Sequence, residues 1–309
     1  MMRFVSRVLL LLLLRSASCM STPTSALDVL RVAESAGREA AAVVRARLGA
    51  DVIKTKASRG DLLTEVDGAV QELIEARVRA SFPSHGFLGE ESVPAGAKAS
   101  AAALAAAMDA VESEWLWICD PIDGTTNFVQ SLPLVGISIG VARRPVGETE
   151  WSLAAGVIVD PFKDEVFSAT AGGGATLNGA AVSVGSEVLA DAVVATGFAP
   201  NEASLRPMVR GVEAIGMRAR SVRMIGSAAI MLAWVACGRL SAFFEADLNA
   251  WDTAAGVLLV REAGGKVTEL DGTPFVIASR PLLASNGAAH EELQEALIEA
   301  QCTGLDVIE

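Results

Sequence analysis

The sequence is poor in the residues that build zinc sites, disulfide frameworks and nucleic-acid surfaces. Its 309 residues include four cysteines and two histidines, and the formal net charge of the chain is −12. The cysteines form no CxxC pair and are widely separated, at Cys19, Cys119, Cys237 and Cys302. This excludes a zinc site and a disulfide framework, and it predicts small buried side chains in a reducing compartment. Because the body of the chain has no basic run, we expect no nucleic-acid partner.

Long apolar runs are also missing from the body of the chain. The longest candidate, "SAAIMLAWVACG" at 227–238, is too short to span a bilayer and predicts a buried helix. We therefore expect no membrane association of the mature protein. Apolar residues make up 51% and charged residues 20% of the chain, which indicates a globular protein of one large domain or two small ones. His85 and His290 are expected to be structural or surface residues.

The first twenty residues, "MMRFVSRVLLLLLLRSASCM", differ from the rest. Arg3 and Arg7 precede a short apolar run from Val8 to Leu14, and no acidic residue occurs before Asp28. This pattern predicts a cleavable targeting segment over residues 1–20. Arg15 and the unpaired cysteines favour an organelle, plastid or mitochondrion, over the alternatives of secretion or the cytoplasm. The remaining residues, 25–302, are predicted to form a single domain.

Mixed helical and strand patterns predict an α/β or α+β architecture with stacked layers. Helices are predicted from Thr64 to about Ser81 and at 25–48, 95–111, 203–215, 227–237, 251–263 and 289–300. Strands are predicted at 115–119, 136–142, 151–159, 219–223, 240–244 and 265–269. The stretch "DEVFSATAGGGATLNG" predicts short strands around a glycine-rich turn. Pro121 is expected to end its strand at Asp120.

The stretch "CDPIDGTTNF", residues 119–128, places two aspartates three positions apart. Two unit charges about 4 Å apart repel by roughly 4 kcal/mol at an effective dielectric near 20. Asp120 and Asp123 either point apart, as a strand-end residue and a turn residue, or share a divalent cation. Oxygen ligands of this type select a hard ion such as Mg²⁺.

Further acidic residues also lie at predicted element ends: Glu90 and Glu91 in "GFLGEES", Asp67 in "LLTEVD" and Asp252 in "NAWDTAAG". Each has a structural interpretation, as a solvated loop charge, a helix cap or a partner of a helix dipole. Together they favour a metal site. The small residues after Asp123, and a second helix start at Gly226, Ser227 and Ala228, offer free N–H groups to phosphate oxygens. The combination indicates phosphoryl chemistry.

Four motifs resemble the inositol monophosphatase family: "GEES", "DPIDGTTNF", "GGGATLNG" and "AWDTAAGVLLVREAGG". They occur in the family's order, and the resemblance covers residues 27–298. It implies a layered αβαβα fold of the inositol monophosphatase and fructose-1,6-bisphosphatase type. It also implies a homodimer and an enzyme that uses two to three Mg²⁺ ions to hydrolyse a small phosphate monoester.

The resemblance implies roles for individual residues as well. The first metal site would be formed by Glu90, Asp120 and the carbonyl of Ile122, and the second by Asp120, Asp123 and Asp252. A third, weaker site would use Glu90 and, through water, Asp67. The catalytic residues would be Glu90, Thr125 and Asp67, with Glu90 and Thr125 orienting the attacking water. The substrate-binding residues would be Gly124, Thr125, Gly226, Ser227, Ala228, Glu245 (a hydroxyl acceptor), Asp252 and the loop lysine Lys56.

The expected reaction is in-line attack of water on a phosphate monoester, with inositol 1-phosphate as the first choice of substrate. Histidinol phosphate and sugar 1-phosphates are the alternatives within the superfamily, and residues 198–212 and 245–250 are expected to decide between them. A non-catalytic, metal-binding regulatory homologue is an alternative from another class. A nucleotide-binding oxidoreductase is a further one, although "AGGGATLNG" lacks the GxGxxG pattern and its downstream acid.

Overall fold

The computed structural model describes residues 24–55, 62–110, 112–199 and 201–306. The described helices are α1 (Ala26–Ala46), α2 (Glu65–Ser81), α3 (Ala97–Ala110), α4 (Thr125–Val129), α5 (Glu202–Gly216), α6 (Ala228–Ala236), α7 (Ala250–Glu262) and α8 (His290–Glu299). The strands are β1 (Val52–Thr55), β2 (Leu62–Thr64), β3 (Gly86–Gly89), β4 (Trp115–Asp123), β5 (Gly136–Arg143), β6 (Ser152–Asp160), β7 (Glu165–Thr170), β8 (Gly174–Leu177), β9 (Ala180–Val182), β10 (Val193–Thr196), β11 (Ser221–Met224), β12 (Ala242–Glu245), β13 (Lys266–Thr268) and β14 (Leu282–Ser285).

The strands form a large sheet, a small sheet and a hairpin. The large sheet has the order β3-β4-β5-β6-β7-β8-β9 and is antiparallel except for the β3–β4 pair. The small sheet has the order β11-β10-β12-β14-β13, and β10 runs parallel to both of its neighbours. Strands β1 and β2 form the separate antiparallel hairpin.

Five layers result from the way the helices cover the two sheets. Helices α1 and α2 pack on one face of the large sheet, and α6 and α7 lie between the two sheets. Helices α5 and α8 cover the outer face of the small sheet. The α6 and α7 segments are apolar around most of their circumference, as expected of helices buried on both sides. The predicted αβαβα fold is confirmed.

Most predicted elements are confirmed to within a few residues, but one boundary is wrong. Strand β4 continues through Pro121 to Asp123 instead of ending at Asp120. Its register with β5 is irregular between Asp120 and Asp123, and a proline is tolerated at such a bulge because it breaks no regular ladder bond. Strands β3, β9, β10 and β14 and the β1–β2 hairpin were not predicted.

The glycine run forms the predicted tight hairpin between β7 and β8. The N–H groups of Gly172 and Gly174 each donate to the carboxylate of Glu262 at 2.8 Å. The run therefore ties the hairpin to the end of α7.

The described cysteines and histidines are mostly buried. Cys119 and Cys302 are buried, whereas Cys237 is partly exposed, and all three are free thiols. His85 and His290 are both buried, so the structural interpretation is correct for each. The nitrogens of His290 meet the hydroxyls of Ser285 and Thr268 at 2.8 and 3.0 Å. Among the described helices, none has the length and hydrophobicity needed to cross a bilayer.

Candidate active site

A cavity of about 440 Å³ opens where the ends of several elements meet. This volume lies within the range of small-molecule sites. Nine residues that the sequence singled out line it: Glu90, Asp123, Gly124, Thr125, Gly226, Ser227, Ala228, Glu245 and Asp252. The structure therefore brings together residues that are up to 162 positions apart in the chain.

Three carboxylates form the centre of the site. Asp120, Asp123 and Asp252 each offer one oxygen, and these oxygens all lie within 4.8 Å of one another. Asp120 and Asp123 come from the end of β4, and Asp252 is the third residue of α7. Because the bulge lies between the two β4 aspartates, the strand does not impose regular alternation on them.

Each carboxylate is fixed by hydrogen bonds. The backbone N–H of Ile122 donates to Asp120 Oδ1 at 2.9 Å. Ser227 Oγ and the N–H of Ala229 donate to Asp123 Oδ2 at 2.7 and 2.5 Å. The N–H of Asn249 donates to Asp252 Oδ2 at 2.6 Å, so Asp252 caps its own helix and joins the cluster. The structural and functional interpretations of Asp252 are therefore compatible.

The position of Asp252 depends on close packing of α7 against the large sheet. A Cβ on Gly140 would lie 2.6 Å from Ala254 Cβ, and a Cβ on Gly156 would lie 2.8 Å from the carbonyl oxygen of Ala255. Only glycine fits at these two sheet positions. In addition, Ser138 Oγ on β5 donates to the carbonyl of Trp251 at 2.8 Å. The helix is thus held at the depth that presents Asp252 to Asp120 and Asp123.

The turn after Asp123 has the geometry that its small residues suggest. Gly124 adopts φ +99°, and a Cβ there would lie 2.9 Å from the carbonyl oxygen of Gly226. Asn127 Nδ2 donates to the carbonyls of Leu134 and Ile225, both at 2.8 Å. The turn is therefore joined to the segment that begins α6.

Thr125 and Asp67 meet beside this turn. Thr125 Oγ1 lies 3.1 Å from the carbonyl oxygen of Ile122 and 3.4 Å from Asp67 Oδ1. Asp67 is fully buried and accepts hydrogen bonds through Oδ2 from the N–H and hydroxyl of Thr64, at 2.9 and 2.5 Å. The predicted cap of α2 is thus confirmed, and the other oxygen of Asp67 faces Thr125. Lys56 lies outside the described residues.

Burial and mutual repulsion make the acidic cluster costly in the absence of a cation. Burial raises the pKa of Asp120 well above 3.8, and the charges of Glu90, Asp123 and Asp252 raise it further. Burial also raises the pKa of Asp123 to about 6, although the hydrogen bonds from Ser227 and Ala229 oppose this shift. The pKa of Asp252 is raised by burial and then by Asp123. A bound cation would relieve this repulsion.

The two segments that were expected to decide specificity both reach the cavity. Phe198, Ala199 and Asn201 line it from the first segment, and Glu245, Asp247, Leu248 and Asn249 line it from the second. Sequence reasoning missed Arg280 and the wall formed by residues 93–97. Neither carries a motif, and Arg280 is 28 positions beyond Asp252.

Comparison with known proteins identifies this arrangement. The sequence matches the inositol monophosphatase family over residues 26–305. The chain belongs to this family. Inositol monophosphatase 2 of Solanum lycopersicum is 39% identical over 78% of this chain and 87% of its own length. The phosphatase IMPL1, chloroplastic, of Arabidopsis thaliana is 34% identical over 88% of this chain and 70% of its own length.

Solved structures agree with this assignment. The inositol monophosphatase from Anabaena sp. PCC 7120 superposes with a TM-score of 0.71 and 34% identity, covering 88% of this chain and 95% of that one. As a member of the family, the chain is a phosphoric monoester hydrolase of a metal-dependent type. This excludes the oxidoreductase alternative.

The side chains of the cluster fit the Mg²⁺ that the family generally uses. Its donors are carboxylate oxygens, and Mg²⁺ prefers oxygen ligands. Within the described ranges, Arg280 is the one cationic side chain that lines the cavity, and it pairs with Asp247 at 2.5 Å. Burial and the charges of Asp123 and Glu90 raise the pKa of Asp252 by more than the charge of Arg280 lowers it.

Proposed function

We propose that this chain hydrolyses inositol monophosphate to inositol and phosphate with two to three Mg²⁺ ions. The cluster of Asp120, Asp123 and Asp252, of which the last two line the cavity, carries the proposal, and the names of the related proteins support the choice of substrate. Bound Mg²⁺ supplies Lewis-acid stabilisation of the charge on the phosphoryl group. Glu90, Asp120 and the Ile122 carbonyl would hold one ion, and Asp120, Asp123 and Asp252 a second. Glu90 would hold a third, with Asp67 acting through water.

Thr125 and Glu90 would orient the attacking water. The Thr125 hydroxyl has one hydrogen, and it lies within reach of the Ile122 carbonyl and of Asp67. Donation to either acceptor leaves the lone pairs of Oγ1 to accept a hydrogen bond from water. The Ile122 carbonyl and Asp67 would thus set the direction of the Thr125 hydroxyl. Holding the water in line with the phosphorus supplies much of the rate acceleration in phosphoryl transfer.

The remaining cavity residues would bind the ester. Gly124 and Thr125 would contact the phosphate through N–H groups at the start of α4. Gly226, Ser227 and Ala228 would line the alcohol side, where Glu245 would accept a hydroxyl hydrogen and Asp252 would contact the leaving group. Lys56 is proposed as a further substrate-binding residue.

The test is Mg²⁺-dependent phosphate release from a panel of esters. The panel contains inositol 1-phosphate, histidinol phosphate, galactose 1-phosphate, fructose 1,6-bisphosphate and 3′-phosphoadenosine 5′-phosphate, with Asp123→Asn as the control variant. Fastest release from inositol 1-phosphate, lost in the variant, would support the proposal. Preference for another ester would keep the metal site and refute the substrate.

We further propose that residues 25–302 form one phosphatase domain and that residues 1–20 direct this domain to a plastid or mitochondrion. We also propose that the protein forms a homodimer. The extent of the family match and the chloroplastic relative support the first two points. Light scattering of the purified protein tests the dimer. A fluorescent protein fused to residues 1–40 tests the targeting, and diffuse cytoplasmic fluorescence would contradict it.

A further inference from the structure

Asp247 lies in the turn that joins β12 to α7, two residues after Glu245 and five before Asp252. Its side chain is only 8% exposed, and the residue lines the cavity. The same short turn therefore carries a carboxylate that the proposed reaction does not use.

Arg280 holds this carboxylate through one of its two oxygens. Arg280 Nε and Nη2 donate to Asp247 Oδ1 at 2.7 and 2.5 Å, and Nη1 donates to Asn249 Oδ1 at 2.8 Å. The N–H of Leu248 donates to the carbonyl of Arg280 at 3.1 Å. These bonds fix the turn at three consecutive residues, so Asp247 is oriented before any ligand arrives.

The second oxygen of Asp247 makes no hydrogen bond to the described part of the chain. Two side-chain nitrogen or oxygen atoms of the described residues are fully buried and lack a hydrogen-bond partner. They are the indole nitrogens of Trp151 and Trp234. Asp247 Oδ2 is not one of them, so it borders accessible space, and the space that Asp247 lines is the cavity. A carboxylate oxygen in this position accepts a hydrogen bond from a hydroxyl group.

We propose that Asp247 is a specificity-determining residue that accepts a hydrogen bond from a hydroxyl of the leaving alcohol. The inference rests on the proposed function and deepens it, because it restricts the substrate class to phosphate monoesters of polyols. Glu245 ends β12 and Asp247 lies in the turn that follows, and both line the cavity, so an alcohol with more than one hydroxyl can bond to both. Asp247, held by Arg280, would thus bind the alcohol part of the ester.

The test compares two esters on the same six-membered ring, myo-inositol 1-phosphate and cyclohexyl phosphate, which has no hydroxyl groups. Asp247→Ala is expected to lower kcat/KM for the inositol ester by about 10- to 100-fold, the usual effect of losing a hydrogen bond to a charged group. For cyclohexyl phosphate we expect a change of less than about twofold. If Asp247 only supports the turn, both values fall together and their ratio stays constant, which would overturn the proposal.

Two further variants keep the test interpretable. Asp247→Asn retains an oxygen for Arg280 and replaces Oδ2 with an amide donor. The ratio of kcat/KM for the inositol ester to kcat/KM for cyclohexyl phosphate should therefore fall in this variant too. This variant provides the test if Asp247→Ala does not fold. Glu165→Ala removes the partner of Arg239, a bidentate pair with both contacts at 2.6 Å whose two residues are not among those lining the cavity. This control should leave the ratio unchanged.

A binding measurement separates this inference from the proposed function. If the wild type releases phosphate from neither ester, the proposed function fails, and calorimetric titration of the Mg²⁺-loaded protein with inositol 1-phosphate still decides the role of Asp247. Binding at least tenfold weaker in Asp247→Ala supports the proposal, whereas equal binding by both proteins overturns it.

Discussion

Asp123→Asn is expected to stabilise the metal-free protein at neutral and alkaline pH while removing its activity. Burial raises the pKa of Asp123 from 3.8 to about 6. The native state therefore holds this proton more tightly than the unfolded chain does. The contribution of Asp123 to the free energy of unfolding falls as the pH rises from about 4 to about 6, and above that the ionised carboxylate lowers stability by a constant amount.

The size of the effect follows from the pKa shift and the hydrogen bonds. A shift of about two pH units corresponds to about 3 kcal/mol in the free energy of unfolding. An asparagine oxygen can still accept the bonds from Ser227 and the N–H of Ala229. The pKa of about 6 already includes the preference of these two bonds for the charged form, so the expected gain is about 3 kcal/mol at pH 8. At pH 4.5 the native carboxyl is largely protonated while the unfolded one, with a pKa of about 3.8, is still mostly ionised, so the expected gain falls to about 1 kcal/mol.

Urea unfolding in the presence of EDTA, followed by tryptophan fluorescence at pH 8 and pH 4.5, measures this difference. Asp191→Asn is a suitable control because Asp191 is an exposed residue paired with Arg220, and no comparable gain is expected. Mg²⁺ should stabilise the wild type more than Asp123→Asn, since a ligand stabilises only the state that binds it. A variant that is no more stable than the wild type at pH 8, or equally stabilised at both pH values, would refute the reasoning.

Three other predictions concern the same site. Gly140→Ala should lower the free energy of unfolding by about 1–3 kcal/mol, because its Cβ would displace α7. The same displacement should raise the Mg²⁺ concentration for half-maximal activity. The control Gly68→Ala, whose Cβ would enter open space on a helix, should have neither effect. Ser227→Ala should lower kcat and reduce the free energy of unfolding by about 1–2 kcal/mol, because the hydroxyl holds Asp123 and caps α6. Activity assays and the melting temperature measure the two effects. In wild-type titrations, the Mg²⁺ concentration for half-maximal activity should rise by about tenfold or more per pH unit below pH 6, because protons compete for Asp123 and the pKa values of Asp120 and Asp252 are raised as well.

The parts of the site that lie in short local motifs could be predicted from the sequence. Thr64 and Asp67 are three residues apart, so the helix cap that they form is visible as a sequence pattern. Asp120 and Asp123 are likewise close in sequence, and an acidic pair beside small residues has few common explanations. Strong helical periodicity similarly located most of the helices.

The parts that depend on tertiary contacts could not be predicted in this way. The bond from Ser227 to Asp123 joins residues 104 positions apart, and the pair of Arg280 with Asp247 joins residues 33 apart. Strands β10 and β14 have only four residues each, too few for a period to be recognised. Their place in the small sheet is determined by pairing with distant strands.

The two ends of the cavity are built by different parts of the fold. Asp120 and Asp123 come from the large sheet, whereas Glu245 and Asp247 follow from the small sheet, and α7 joins the two with Asp252 at its start. The close contacts of α7 with Gly140 and Gly156 fix the metal cluster relative to the large sheet. Changes in the small sheet or in the turn at 246–249 can therefore alter the fit of the alcohol without moving the pair of aspartates on β4. On the proposed role of Asp247, a change at this residue alters the substrate preference while Asp120 and Asp123 keep their places on β4, so the metal motif identifies the reaction and does not by itself identify the substrate.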